Sequence, residues 1–412
     1  MVLPKDFETM KRILLIFGTR PEAIKMAPVV LRLKETEAFQ TTVAVTAQHR
    51  HMLDQVLEIF GIKPDYDLDI MSPDQDLFDI VSRSLAGLKG VLLQERPDLV
   101  LVHGDTTTTF VAALAAFFLK IPVGHVEAGL RTRDKYRPFP EEMNRHLAGV
   151  LTDYHFAPTP WARDNLLREG VPREKIWVTG NTVIDALRIV ADWVGKDKKR
   201  WEDYFREEFA LPLDRRRLIL VTGHRRENFG LGFENICWAL RDLAEQCPDI
   251  HIVYPVHLNP NVQRPVYQIL TPGGGHAQGG VSTMETAVGS RISLVPPLDY
   301  APFVYLMTRS YVVLTDSGGI QEEAPALGKP VLVMREVTER PEGVWAGTVK
   351  LVGTDRDKIF QGIKELFDNP ESYQAMAQAR NPYGDGQAAG RIVQVLASLG
   401  GEEVAIASRS WT

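Results

Sequence analysis

From Arg12 onward, short runs of Val, Ile and Leu alternate with longer stretches in which apolar residues recur every three or four positions. The first pattern belongs to a strand buried on both faces and the second to an amphipathic helix. Their alternation predicts parallel strands joined by crossover helices. Ile13–Phe17 precedes a helical stretch from Glu22 to Leu33, Thr42–Val45 precedes Met52–Phe60, Leu99–Val102 precedes Thr107–Leu119, and Val123–Val126 precedes Glu141–Leu151. These predict one doubly wound sheet. A second series opens at Leu218–Val221 and continues through Ile250–Tyr254, Ile292–Val295, Tyr311–Leu314 and Pro330–Val333, which predicts a second sheet of the same class. Between them Trp193–Phe209, dense in charged residues, reads as a linker region.

The domains expected are 1–192 and 193–380, both Rossmann-like, followed by 381–412 as a C-terminal helix packing back on the first domain, plus a tail. The length of 412 residues and the 44% hydrophobic content support two sizeable cores. A formal net charge of -6 speaks against nucleic acid and anionic membranes as partners, so an anionic ligand must be met locally. Cys237 and Cys247 stand ten residues apart in one helical pattern and point to different faces, which fits unpaired thiols in a reducing compartment. The first eleven residues lack the apolar core of a signal peptide and no later run reaches membrane-spanning length, so a cytoplasmic protein is expected. The Gly-rich stretch 272–290 reads as a mobile surface loop, because it lacks the Gly-Lys-Ser/Thr of a phosphate loop.

Ligands of open parallel sheets bind beyond the carboxyl ends of the strands, and five such ends are polar here. They are 17–22 (FGTRPE), 102–106 (VHGDT), 125–131 (HVEAGLR), 222–228 (TGHRREN) and 315–319 (TDSGG). They imply a cleft between the domains. Ser317, Gly318 and Gly319 lie between a strand and the helical run 320–327, where free amides and the positive helix end favour a phosphate. Glu322 and Glu323, one turn on, would repel a phosphate, but a carboxylate there can accept both hydroxyls of a ribose. A serine-capped helix with a solvated acidic turn is the competing reading. Arg20 and Lys25, with His224, Arg225 and Arg226, would supply positive charge, although Arg20 and Lys25 also suit an ordinary wet helix face.

Asp105, Glu127, Glu141 and Glu142, with His103, His125 and His224, are the candidates for proton transfer. His103 and His125 are expected to be hydrogen-bonded core histidines. An acid directly past a buried strand must be paired or used, which favours function for Asp105 and Glu127. The basic loop 131–140 suits either a mobile flap or a solvated charged loop. None of these groups has metal-ligand spacing, and no GxGxxG fingerprint follows a strand, so neither a metal nor a nicotinamide cofactor is expected.

As a set, FGTRPEAIKMAP at 17–28, VTAQHR at 45–50, LVHGDTTTT at 101–109, PVGHVEAGLRT at 122–132, TGNTVIDAL at 179–187, VTGHRREN at 221–228, YPVHLNPNV at 254–262, the run 314–335, TERPEG at 338–343 and NPYGDG at 381–386 resemble the non-hydrolysing UDP-N-acetylglucosamine 2-epimerases. The resemblance implies the glycosyltransferase-B architecture, a homodimer, and reversible conversion of UDP-N-acetylglucosamine to UDP-N-acetylmannosamine for surface polysaccharide synthesis. The implied mechanism is anti elimination of UDP to 2-acetamidoglucal and re-addition, with no metal or other cofactor.

Carried onto matching positions, the resemblance implies that Asp105, Glu127 and Glu141 are acid/base groups and that His224 supports UDP departure. Arg20, Lys25 and Arg340 would face the diphosphate region, Phe303 uracil, Ser317, Gly318 and Gly319 the phosphates, and Glu323 the ribose. The Gly-rich stretch departs from the family pattern as an insertion. A second, activating substrate site would involve Gln48, His49, Gln75 and His257, but His51 and Asp74 replace side chains used there. A hydrolysing 2-epimerase, a glycosyltransferase and a non-catalytic UDP-sugar sensor are the alternatives.

Overall fold

The computed structural model describes residues 11–47, 50–72, 75–211, 213, 217–271, 286–287 and 291–399. The described residues up to Ala186, together with those from Tyr383 onward, form one compact unit, and Leu187–Pro382 form a second. The Gly-rich stretch, apart from Thr286–Ala287, lies outside the described residues, as do Gln48, His49 and Asp74.

In the first unit the chain alternates β1 (Lys11–Phe17), α1 (Arg20–Lys34), β2 (Phe39–Val45), α2 (Arg50–Ile59), β3 (Tyr66–Asp67), α3 (Leu77–Glu95), β4 (Leu99–His103), α4 (Thr107–Phe118), β5 (Val123–Val126), α5 (Glu141–Leu151), β6 (Tyr154–Ala157), α6 (Pro160–Arg168) and β7 (Ile176–Val178). The helix α7 (Thr182–Lys196) carries the chain out of it. All seven strands are parallel, in the order β3-β2-β1-β4-β5-β6-β7. Ile13–Phe17 and Leu99–His103 are buried along their whole length, as strands covered by helices on both faces must be. Leu14, Ile16, Val100 and Val102 pack on one face against Val111, Ala112 and Ala115 of α4 and against Leu88 and Leu92 of α3.

The second unit runs α8 (Lys198–Phe209), β8 (Arg217–Thr222), α9 (Leu231–Gln246), β9 (Ile250–Pro255), α10 (Pro260–Leu270), β10 (Thr286–Ala287), β11 (Ile292–Val295), α11 (Tyr300–Arg309), β12 (Ser310–Thr315), α12 (Gly318–Ala326), β13 (Val331–Val333), α13 (Pro341–Trp345), β14 (Val349–Leu351), α14 (Arg356–Asp368) and α15 (Pro370–Ala377). Its sheet order is β10-β11-β9-β8-β12-β13-β14, parallel throughout except for the antiparallel edge strand β10. The final helix, α16 (Ala388–Ser398), belongs to the first unit and packs on α1.

The stretch 193–209 is not a linker. Trp201 and Phe205 of α8 are buried, and both rings stack on Tyr305 at 6.0 Å. Its charges hid a second periodicity, since Trp201 and Phe205 stand four apart on one helix face. Among the described residues no helix is long and apolar enough to cross a membrane.

Candidate active site

Strand order in the first sheet reverses between β1 and β4, so the turns after Phe17 and His103 are the natural ligand position. Both turns hang on one residue, Glu22, which is almost fully buried. Its Oε2 accepts from the Gly18 and Thr19 amides at 3.0 and 2.8 Å and from Thr19 Oγ1 at 2.8 Å. Its Oε1 accepts from Thr106 Oγ1 at 2.6 Å and Thr109 Oγ1 at 3.1 Å. Thr19 and Glu22 thereby form a capping box, and Arg20 opens α1, half-buried. Gly18 is required by space, because a Cβ there would stand 1.9 Å from Thr46 Oγ1.

Glu127 directly follows β5 with φ of 63°, an uncommon conformation for a residue with a Cβ. Its carboxylate is buried, and two donors and a nearby imidazole converge on Oε2. Lys25 of α1 forms a short ion pair with it, Asn181 Nδ2 donates at 2.8 Å, and His103 Nε2 of β4 lies at 3.7 Å, an electrostatic contact rather than a hydrogen bond. Burial pushes the Glu127 carboxyl up, but the Lys25 ammonium and His103 outweigh it and hold the group well below the usual carboxylate range. The two strand-end histidines differ. His125 is a core histidine with Nε2 2.7 Å from the Gly104 carbonyl, and burial brings it down to about 3, so it stays neutral. His103, expected to be another such residue, instead has no hydrogen-bond partner on either ring nitrogen and faces Glu127.

Asp105 is paired with Arg145 of α5 at 2.6 Å, and Arg145 also contacts Glu142 at 3.3 Å. Glu141 opens that helix with a buried Oε2 that has no hydrogen-bond partner, and Asn144 Nδ2 and Arg145 Nε are likewise buried and unsatisfied. A group of unsatisfied polar atoms beside an acid pair marks a place for a polar ligand. Glu142 has a different task. It accepts from the Thr132 and Arg133 amides at 3.1 and 2.8 Å and so holds the base of the 131–140 loop. Burial raises its carboxyl, but those amides and Arg145 prevail and leave it below its ordinary range. Arg131 is bidentate on Glu169 at 2.7 and 2.8 Å. The 131–140 loop therefore begins as an anchored strap, and Glu142 is the acceptor that anchors it.

In the second unit the strand order reverses between β8 and β12, whose ends carry His224 and Asp316. Asp316 is fully buried, and its Oδ2 accepts from the His224 and Arg225 amides at 2.9 Å and from Asn228 Nδ2 at 3.2 Å. His224 Nδ1 lies 3.5 Å from Asp316 Oδ1, and its ring stacks on His257 at 5.4 Å. Burial lowers the His224 pKa, helped by Arg225 and His257 and opposed by Asp316.

Ser317 stands at the N-cap of α12 but makes no side-chain cap bond, contrary to a serine-capped helix. Gly318 leaves room for Arg340 and Glu339, each about 3.1 Å from where its Cβ would be, whereas Gly319 meets only Glu323, at 3.9 Å. Glu322 and Glu323 separate in role: Glu322 takes Arg340 Nε at 2.8 Å, while Glu323 Oε1 accepts from Tyr300 at 2.7 Å. Phe303 lies half-buried on α11, one turn after Tyr300. Arg225 is explained structurally, since it joins Arg335 and Arg340 around Glu339. Burial raises Glu339, but these three guanidiniums bring it to about 2. Among the described residues no group of three His, Cys, Asp or Glu is arranged to hold a metal ion.

Sequence reasoning missed Asn181, Arg145, Tyr300 and Asp316. Asn181 lay inside the quoted run 179–187 and Asp316 directly before Ser317, so position relative to a strand end was the available signal. Nothing in the sequence paired Arg145 with Asp105 or Tyr300 with Glu323.

The two doubly wound units, each with its polar residues at the switch point of its sheet, define an α/β enzyme of glycosyltransferase-B class. The family model described as UDP-N-acetylglucosamine 2-epimerase matches residues 31–397. The Escherichia coli K12 UDP-N-acetylglucosamine 2-epimerase is 57% identical over 93% of this chain and 98% of its own length. The crystal structure of UDP-GlcNAc 2-epimerase from Neisseria meningitidis bound to UDP-GlcNAc has a TM-score of 0.83 at 50% identity, covering 94% of this chain and all of that one. The Methanocaldococcus jannaschii enzyme in complex with UDP-GlcNAc and UDP has a TM-score of 0.73 at 31% identity, covering 94% and 99%. The chain belongs to the UDP-N-acetylglucosamine 2-epimerase family and is, with it, an isomerase.

Proposed function

We propose that the chain interconverts UDP-N-acetylglucosamine and UDP-N-acetylmannosamine without hydrolysis. UDP leaves C1 as the C2 proton is removed, giving 2-acetamidoglucal, and UDP re-adds while a proton returns to the opposite face of C2. The observation that carries this reading is Glu127, a buried carboxylate directly past β5 on which Lys25 and Asn181 converge and which stays in the proton-accepting form. Asp105, held by Arg145, and Glu141, with its unsatisfied oxygen, are the further acid/base groups.

The leaving diphosphate is received by the uncapped end of α12 at Ser317, Gly318 and Gly319, with His224 supporting its departure. Arg20 adds positive charge, while Lys25 and Arg340, already paired with Glu127 and Glu322, shape the surroundings of the substrate. Glu323, oriented by Tyr300, takes the ribose and Phe303 the uracil. The product feeds surface polysaccharide synthesis.

A homodimer is part of the proposal, with a second copy on the outer face of α4 and α5. These helices pack together and expose Phe117, Phe118, Leu147 and Val150.

The test is NMR of the protein with UDP-N-acetylglucosamine in deuterated water. The expected result is deuterium at C2 of both UDP-sugars. Product without C2 deuterium sinks the elimination, and accumulating free N-acetylmannosamine selects hydrolysis instead.

A further inference from the structure

Two Gly-containing turns of this chain carry no chemical step of the proposal above, the Thr179-Gly180-Asn181 run after β7 and the Tyr383–Gly386 run that returns the chain to the first unit. They meet each other. The Asn181 amide donates to the Tyr383 carbonyl at 2.7 Å, and Gly180 and Gly384 pass with about 3.7 Å between the Gly180 Cα and the position of a Gly384 Cβ. Gly180 has φ of 93° and Gly384 of 142°, where a side chain would be strained. Arg391 of α16 ties the same junction by donating to the Thr179 carbonyl at 3.0 Å while gripping Asp385 at 2.9 and 2.8 Å. Asp185 of α7 accepts from the Ala388 and Ala389 amides at 3.1 and 2.9 Å, which fastens the start of α16.

The product of this bracing is one side chain. Asn181 is buried, and its Oδ1 accepts from the Val183 amide at 3.0 Å, which fixes which end of the amide faces where. The Nδ2 end is therefore turned to Glu127 Oε2, at 2.8 Å. Lys25 reaches that same oxygen, so two donors from different elements define the rotation of the carboxylate.

We infer that Asn181 is a positioning residue for proton transfer by Glu127, set in place by the C-terminal return segment. The inference rests on the reading of Glu127 as an acid/base group. It makes the runs 179–187 and 381–386 a single device: the second holds the first, and the first aims the carboxylate.

The test uses the full chain and follows turnover and C2 deuterium exchange of UDP-N-acetylglucosamine across pH, beside UDP affinity by calorimetry. Asn181→Ala is expected to lower kcat about 10- to 100-fold with KM changed less than about threefold, as befits loss of a hydrogen bond to a charged group. Asn181→Asp keeps the shape and the Val183 bond but sets a second carboxylate against Glu127, which otherwise faces Lys25 of α1 and His103 of β4. It should be slower than Asn181→Ala at neutral pH and recover as the pH falls, because a protonated Asp donates again. Arg391→Ala should lower kcat up to about tenfold with UDP affinity unchanged.

Asn181→Ala turning over within twofold of the unmodified chain overturns the inference. So does Asn181→Asp matching Asn181→Ala at every pH, the signature of a packing role alone. Absence of exchange in the unmodified chain refutes the parent reading of Glu127 instead.

Discussion

Glu22 was not singled out as a chemical residue, yet two turns of the candidate site depend on it. Truncation by Glu22→Ala removes the acceptor for five donors, but the five do not suffer equally. Thr109 Oγ1 also donates to the His103 carbonyl, and Thr106 Oγ1 keeps the Thr109 amide as a donor, so both hydroxyls stay partnered. The Gly18 and Thr19 amides lose their only side-chain acceptor. Each buried amide left unsatisfied costs ~1–3 kcal/mol, so the first unit should lose roughly 3–5 kcal/mol. Glu22→Gln separates the terms. Both amides meet Oε2, so the glutamine must place its oxygen there and its NH₂ where Oε1 was, and there the two threonine hydroxyls can turn to accept. Its cost should be about 1 kcal/mol. Native-state hydrogen exchange of peptides covering β1 and β4 reads the difference directly, about 10²–10⁴-fold faster exchange for Glu22→Ala and about fivefold for Glu22→Gln. Equal acceleration in the two variants would refute the reasoning, because the assignment of the two oxygens would then be irrelevant.

Two further outcomes are expected. Tyr300→Phe removes the hydroxyl that donates to Glu323 at 2.7 Å, and UDP affinity measured by calorimetry should fall about fivefold, the equivalent of ~1 kcal/mol, while C2 exchange at saturating substrate is kept. Unchanged UDP affinity would remove Glu323 from the ribose contact. Burial lowers His125 to about 3 and His155 to about 4, from an ordinary 6.5. Below pH 6.5 the unfolded chain therefore binds protons that the folded chain refuses, so stability must fall as the pH drops from 6.5 toward 4. Each histidine contributes at most ~1.4 kcal/mol per pH unit. His155→Gln should flatten the slope of thermal midpoint against pH in that window, and an unchanged slope would contradict the neutral, buried assignment.

The fold was legible because its central strands are buried on both faces and so read as continuous apolar runs, as in Ile13–Phe17 and Leu99–Val102. Tyr154–Ala157, Ile176–Val178 and Val349–Leu351 escaped notice, being three or four residues long with aromatic or charged members. At the candidate site, chain position relative to a strand end was enough to single out Asp105, Glu127, His224 and Ser317. Which partner each side chain takes was not legible. Glu127 and Asn181 are 54 residues apart and Asp105 and Arg145 are 40 apart, and such pairings come from tertiary packing that no local spacing encodes. The same blindness hid the amides that Glu142 accepts from and the pairing of Arg225 with Glu339.

Charge in the second unit bears on how an anion could be held by a chain of net charge -6. Arg225, Arg335 and Arg340 might be counted as three cations awaiting a diphosphate, but Glu227, Glu322 and Glu339 already meet them, three carboxylates for three guanidiniums. With those charges met, the second unit's attraction for a phosphate comes from the amides at the start of α12, from His224 and from the exposed Arg226. Amide dipoles act over one turn of helix and cost nothing to keep in place when UDP departs, whereas a bare guanidinium cluster would bind the leaving group tightly in every state. The proposed elimination, which must reverse, needs the diphosphate held close to C1 without being trapped. Paired arginines behind a helix end meet that need better than free ones, because they shape the loop around Gly318 while leaving the grip to neutral donors.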